Sequence, residues 1–186
     1  MTGNPARLTA ENAVLVIVDV QGKLAQIMDK SDTLHQQLAT LIAGAQLFNI
    51  PILWLEQLPN KLGSTTESLA MLLRKTSQPI AKSHFSGWHC EEFKTQLHTF
   101  GRKQVLLAGI ETHVCVYQTC SDLLQGGYQV QLVSDAMSSR TQANKEIGLQ
   151  MMQAKGASLT NVESLLFELQ HVAEGDRFKA LIKLIK

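Results

Sequence analysis

Two uninterrupted apolar runs set the pattern of the chain. Ala13-Val14-Leu15-Val16-Ile17-Val18 and Val105-Leu106-Leu107-Ala108 show no polar alternation and are too short to be helices. Each reads as a strand buried on both faces, the habit of strands in parallel sheets. The first ends at Asp19, with Gln21 and Gly22 opening a loop. Ser31 or Asp32 can cap the helix that follows, where Leu34, Leu38, Leu41, Ile42, Ala45 and Phe48 fall on one face. Asn49 closes it, and Ile52-Leu53-Trp54-Leu55 reads as the next strand. The three elements form a β-α-β unit with a right-handed crossover.

The alternation continues to the end of the chain. Glu56 to Thr66 reads as a loop and Thr66 to Arg74 as a short helix. Pro79-Ile80-Ala81-Lys82 is a brief strand ending in lysine, and Ser83 to His89 is a loop carrying His84, Phe85 and Trp88. Glu91 to Phe100 is a helix. The Val105 strand then passes through Gly109 into a helix from Val114 to Leu124, closed by Gly126-Gly127. Tyr128 to Ser134 is a fifth strand, ending at Asp135. Thr141 to Lys155 is a helix, Ala157 to Thr160 a sixth strand, and two helical segments finish the chain. In the last of these, Phe178, Leu181, Ile182 and Ile185 form an apolar stripe. The order predicts an α/β three-layer sandwich: six mainly parallel strands with helices on both faces. No repeat or linker divides it, so residues 1–186 are expected to form one domain.

Composition narrows the classes of function. A formal net charge of +1, without a basic run, gives no footprint for nucleic acid. No apolar stretch reaches the length of a membrane span. The first ten residues lack a charged-then-apolar signal pattern, and Cys90, Cys115 and Cys120 form no C-x-x-C pair. These features fit a reducing, cytoplasmic setting. The expected partner is a small molecule, with no nucleic acid and no membrane.

Candidate chemistry follows from placement. In folds of this kind ligands bind outside the carboxyl ends of the strands. Asp19, Lys82 and Cys115 each lie at such an end or one turn beyond it. Cys115 stands where a strand gives way to a helix N-terminus, so its thiol is expected to ionise readily, and Lys82 would favour the thiolate further. A carboxylate in reach can take the thiol proton and later protonate a leaving group, while backbone N–H groups hold an oxyanion. The chemistry is attack on a carbonyl carbon, loss of an amine or alcohol, and hydrolysis of a thioester. Plainer readings stand beside it: a buried small Cys115, a turn-capping Asp19, a solvated Lys82. Cys120 reads as core, and Cys90 begins a helix with no identifiable partner.

Gly109-Ile110-Glu111-Thr112-His113-Val114-Cys115-Val116 resembles the signature of the isochorismatase-like cysteine hydrolases. Val18-Asp19-Val20-Gln21 and Lys82-Ser83-His84-Phe85-Ser86 match the other two catalytic positions, in the same order along nearly the whole chain. Glu56-Gln57-Leu58-Pro59-Asn60-Lys61-Leu62-Gly63 and Ser134-Asp135-Ala136-Met137-Ser138-Ser139-Arg140 resemble the isochorismatase-domain-containing subgroup. The resemblance implies a nucleophilic Cys115, an acid/base Asp19 and an electrostatic partner in Lys82. It also implies a cis peptide between Ile110 and Glu111, with the N–H groups of Glu111 and Cys115 as the oxyanion site. Gln21, Phe85, Trp88 and His113 are candidates for the substrate pocket, though the aromatic pair suits core cover equally and His113 suits packing equally. Relatives that hydrolyse nicotinamide carry an Asp-x-His pair for a metal. Here the corresponding loop offers Glu56 and Gln57, and Glu56, His84 and His89 have no ligand spacing, so neither metal nor cofactor is expected. A homo-oligomer, dimer or larger, is expected from the family. Hydrolysis of a small amide or carbamoyl C–N bond is the first functional reading. Cleavage of a vinyl ether, which needs an acid but no thiol, is the second, and a non-catalytic binding module the third.

Overall fold

The computed structural model describes residues 7–186. Six strands form one sheet: β1 (Ala13–Val18), β2 (Ile52–Gln57), β3 (Pro79–Lys82), β4 (Gln104–Gly109), β5 (Gln129–Met137) and β6 (Ser158–Thr160). Their order across the sheet is β3-β2-β1-β4-β5-β6, and every neighbouring pair is parallel. The helices are α1 (Gly22–Gln26), α2 (Ser31–Leu47), α3 (Pro59–Leu62), α4 (Glu67–Leu73), α5 (Glu91–Thr99), α6 (Tyr117–Gln125), α7 (Gln142–Ala154), α8 (Val162–Gln170) and α9 (Gly175–Ile185).

The period of two in β1 explains why its run is wholly apolar. Ala13, Leu15 and Ile17 enter a core completed by α2, α4, α8 and α9. Val14, Val16 and Val18 enter a second core completed by α5, α6 and α7. Both faces of β1, and of β4 from Val105 to Ala108, are therefore dry and apolar; the polar Gln104 stands at the start of β4, where its side chain is hydrogen-bonded. In α2 the expected face, Leu34, Leu38, Leu41, Ile42 and Ala45, is buried. Leu181 of the α9 stripe is fully buried against the same core and Ile185 packs partly on it, while Phe178 and Ile182 are half-buried. Cys120 is core, beside Val116 and Leu123.

The ends of elements differ from expectation. Gly22–Gln26 and Pro59–Leu62 are single helical turns within what read as loops; Ala25 is buried, and Pro59 suits a first helical position. The second strand runs on through Glu56 and Gln57, which sequence reads as loop, and the fifth runs on to Met137, past its expected end at Asp135. The helix expected from Val114 begins earlier, as a π-helical turn over Thr112–Val116 that continues into α6. Among the described residues, no helix is long and apolar enough to cross a membrane.

The strand order reverses between β1 and β4. Their crossovers leave in opposite directions across the sheet, which opens a crevice at their carboxyl ends. Asp19 follows β1, the segment from Ile110 to Val116 follows β4, and Lys82 closes β3 on the same edge.

Candidate active site

Lys82 is the hub of the crevice. Its side chain is fully buried. Its Nζ donates to Asp19 Oδ2 at 2.7 Å, Gln57 Oε1 at 2.6 Å, and the carbonyls of Phe85 at 3.0 Å and His84 at 3.2 Å. An ammonium has three protons, so these four acceptors occupy it completely. Gln57 is itself fixed: its N–H donates to Gln21 Oε1 and its Nε2 to the Ser83 carbonyl. Gln21 Nε2 returns to the carbonyls of Gln57 and Gly63. A two-way clasp between the end of β2 and the loop after β1 thus aims the lysine.

Asp19 is 2% exposed and has a left-handed backbone, φ +53°, a conformation that Asp tolerates better than most residues. Its Oδ1 is buried with no hydrogen-bond partner among the described residues. Burial raises the carboxyl's pKa from its ordinary 3.8, against the opposing pull of Lys82. Cys115 shares the cavity with Asp19, near enough for each group to shift the other's ionisation. Its thiol is pushed up to about 12, first by burial and then by the Asp19 charge, with Lys82 only partly offsetting them. The easy ionisation expected of a helix-end cysteine is therefore corrected: Cys115 lies within the π-helical turn, and burial together with the neighbouring Asp19 charge raises its thiol.

The peptide between Ile110 and Glu111 is cis. The Glu111 N–H makes no hydrogen bond among the described residues and remains free to donate. The segment is braced from the loop after β5. Thr112 donates its N–H and its hydroxyl to the Ser138 carbonyl, and Ser138 Oγ donates to the Asp29 carbonyl. Glu111 Oε2 accepts from the Arg140 N–H and Nε–H, each at 3.1 Å.

A cavity of about 120 Å³ is lined by Asp19, Leu24, Gln57, Leu62, Phe85, Ile110, Glu111, Val114 and Cys115. Of the four pocket candidates, Phe85 lines it, at 54% exposure on the rim. Gln21 lies behind the wall in the clasp with Gln57. Trp88 packs elsewhere, edge-on to His98 and Tyr128 and over Gly126. His113 Nδ1 is 2.9 Å from Ser139 Oγ, within the brace rather than the cavity. Gln57 and the side chain of Glu111 were not singled out from sequence. Gln57 was findable by the strand-end rule, had β2 been read two residues longer.

The residues weighed for a metal are not gathered. Glu56 Oε1 accepts from the N–H and hydroxyl of Thr65, while the rings of His84 and His89 lie 5.5 Å apart and His89 faces Asp122. Among the described residues, no group of three His, Cys, Asp or Glu side chains is arranged to hold a metal ion. Cys90 is partly exposed, its thiol directed at the Ala81 carbonyl.

The model of the isochorismatase domain matches residues 13–164. A secreted isochorismatase effector, Isc1, of Phytophthora sojae is 39% identical over 184 residues, covering 97% of this chain and 87% of that protein. Isochorismatase domain-containing protein 2A of Mus musculus is 35% identical over 183 residues, covering 97% and 85%. The solved structure of the MAR1 ribonuclease of Caenorhabditis elegans superposes with a TM-score of 0.89 at 34% identity, covering 97% of this chain and 92% of that one.

Proposed function

The chain belongs to the isochorismatase domain family of hydrolases, and from that premise we propose that it hydrolyses a small amide or carbamoyl C–N bond through a thioester on Cys115. The observation that carries this reading is the meeting of Asp19 and Cys115 at one cavity, with the Lys82 ammonium 2.7 Å from the carboxylate.

The resting thiol is neutral and the carboxyl is more basic than usual, which suits general-base catalysis. As the sulfur bonds to the substrate carbonyl carbon, its proton passes to Asp19. The carbonyl π electrons move to oxygen, where the N–H groups of Glu111 and Cys115 receive the charge. Asp19 then protonates the departing nitrogen as the C–N bond breaks. Water attacks the thioester, giving its proton to Asp19, and the acid leaves with the thiol restored. Lys82 keeps Asp19 oriented throughout and balances its charge.

A vinyl-ether substrate such as isochorismate carries two carboxylates, and among the described residues no cationic side chain lines the cavity to receive them. That favours the amide reading. The test is a panel of small amides, carbamates, isochorismate and RNA, assayed for ammonia, pyruvate and strand cleavage. Ammonia release lost in Cys115→Ser supports the reading, with a drop of at least ~10³-fold expected for a covalent nucleophile. Turnover that survives the substitution, or turnover of the other substrates alone, overturns it. Self-association is proposed on the family likeness, and sedimentation tests it.

A further inference from the structure

Asp19 has an acidic counterpart in the cavity. Glu111 lines it too, with its side chain 10% exposed. Its Oε2 is held by Arg140, whereas its Oε1 receives no donor among the described residues. It lies near enough to Cys115 for its charge to push the thiol's pKa upward. Among the described residues, no Lys, Arg or His lines the cavity. Lys82 stands behind Asp19 with its protons engaged, and the Arg140 side chain is 56% exposed on the solvent side. A ligand entering here therefore meets a wall that includes two acidic residues and, among the described residues, no cationic one.

We propose that Glu111 is a specificity-determining residue that admits neutral N–H-bearing acyl compounds, small primary amides above all, and excludes those carrying a carboxylate. This rests on the cysteine-hydrolase reading of the site. The free oxygen accepts an N–H from the amide and repels a second anion at short range in a medium of low dielectric. The rest of the wall, Leu24, Leu62, Phe85, Ile110 and Val114, suits a short aliphatic chain. A cavity of about 120 Å³ suits a small ligand. Arg140 is a positioning residue, drawing half of the carboxylate charge to itself.

The experiment needs no natural substrate. Iodoacetamide and iodoacetate differ only in an amide against a carboxylate. Each forms an S–CH2 bond as the C–I bond breaks, releasing iodide while the thiol proton passes to a base. Rates at Cys115 are followed by peptide mass spectrometry near neutral pH, with 2-mercaptoethanol as the unhindered reference. In the wild type, the preference for iodoacetamide should exceed that of the reference by at least ~10-fold, a floor for like charges in close approach. Glu111→Gln should bring the ratio down toward the reference. Arg140→Gln should raise it, by leaving the Glu111 charge undivided. A purely structural role would move both variants the same way, and that result overturns the proposal. So does a wild-type ratio equal to the reference, or a Cys115 that neither reagent labels. Loss of amide turnover with the ratios intact would sink the proposed reaction and leave this selectivity standing.

Discussion

Lys82→Met removes the one cation buried beside Asp19. The two side chains are 0% and 2% exposed, so water cannot take the ammonium's place without opening the site. The carboxylate is left uncompensated, with an Oδ1 that already has no partner among the described residues. Gln57 Oε1 and the carbonyls of His84 and Phe85 lose their donor as well. Breaking a buried ion pair by deleting one partner costs about 3–5 kcal/mol. Against a total of about 5–15 kcal/mol for an ordinary domain, that is a large share. Urea unfolding of the wild type and variant at several pH values reads it directly.

The pH dependence has a definite sign. Asp19 already titrates above its ordinary 3.8 in the folded protein, and Lys82 supplies the main effects that hold it down. Without Lys82 its folded pKa climbs further. The folded variant then holds a proton that the unfolded chain has released, and stability falls as pH rises through that window. The deficit of Lys82→Met should therefore be small in acid and reach its full size at neutral pH. Adding Asp19→Asn, which tolerates the left-handed backbone, removes the stranded charge and should recover at least about half of the loss. A deficit below about 1 kcal/mol, the worth of a surface pair, would refute the reasoning. So would a deficit independent of pH, or one deepened by the second substitution.

The thiol and the strand pairing give two further tests. With Cys115 pushed up to about 12, the ultraviolet thiolate titration of the wild type minus Cys115→Ser should show no step below about pH 9; a step near neutrality would replace Asp19 as base with a preformed thiolate. Gly109 has φ +117°, and a Cβ there would meet Val18 N at 2.6 Å and collide with the Val18 carbonyl oxygen. Gly109→Ala should therefore cost more than about 3 kcal/mol in denaturant unfolding, and a loss under about 1 kcal/mol would contradict the close approach of β1 and β4.

What sequence revealed was whatever burial writes into composition. The runs of β1 and β4 are apolar throughout because both faces are covered, so their existence and parallel setting were legible. The helical face of α2 was legible for the same reason. Single turns such as Gly22–Gln26 and Pro59–Leu62 are too short to show a period. Glu56 and Gln57 are polar and so looked like loop while serving as the end of β2, and β5 continues two residues past its expected end at Asp135. At the site, the strand-end rule picked out Asp19, Lys82 and Cys115, which the fold does bring together. Nearness in sequence misled where direction mattered. Trp88 lies three residues beyond Phe85, yet it turns toward Tyr128 while Phe85 turns to the cavity. The Arg140 hold on Glu111 joins segments 29 residues apart, and no local pattern announces it.

The raised thiol and the raised carboxyl are two sides of one constraint. A preformed thiolate at Cys115 would place two anions, sulfur and Asp19, in a dry crevice with a single ammonium, and Glu111 would make a third. Leaving the proton on sulfur keeps one charge pair, Asp19 with Lys82, and avoids the desolvation of a second anion. In the proposed reaction no additional charge has to be created at the start, because the proton crosses to Asp19 only as negative charge leaves the sulfur for the substrate oxygen. The N–H groups at Glu111 and Cys115 meet that charge where it arrives. Removing Asp19 should then slow the chemical step even though it eases ionisation of the thiol, a pairing of effects that a preformed thiolate would not produce.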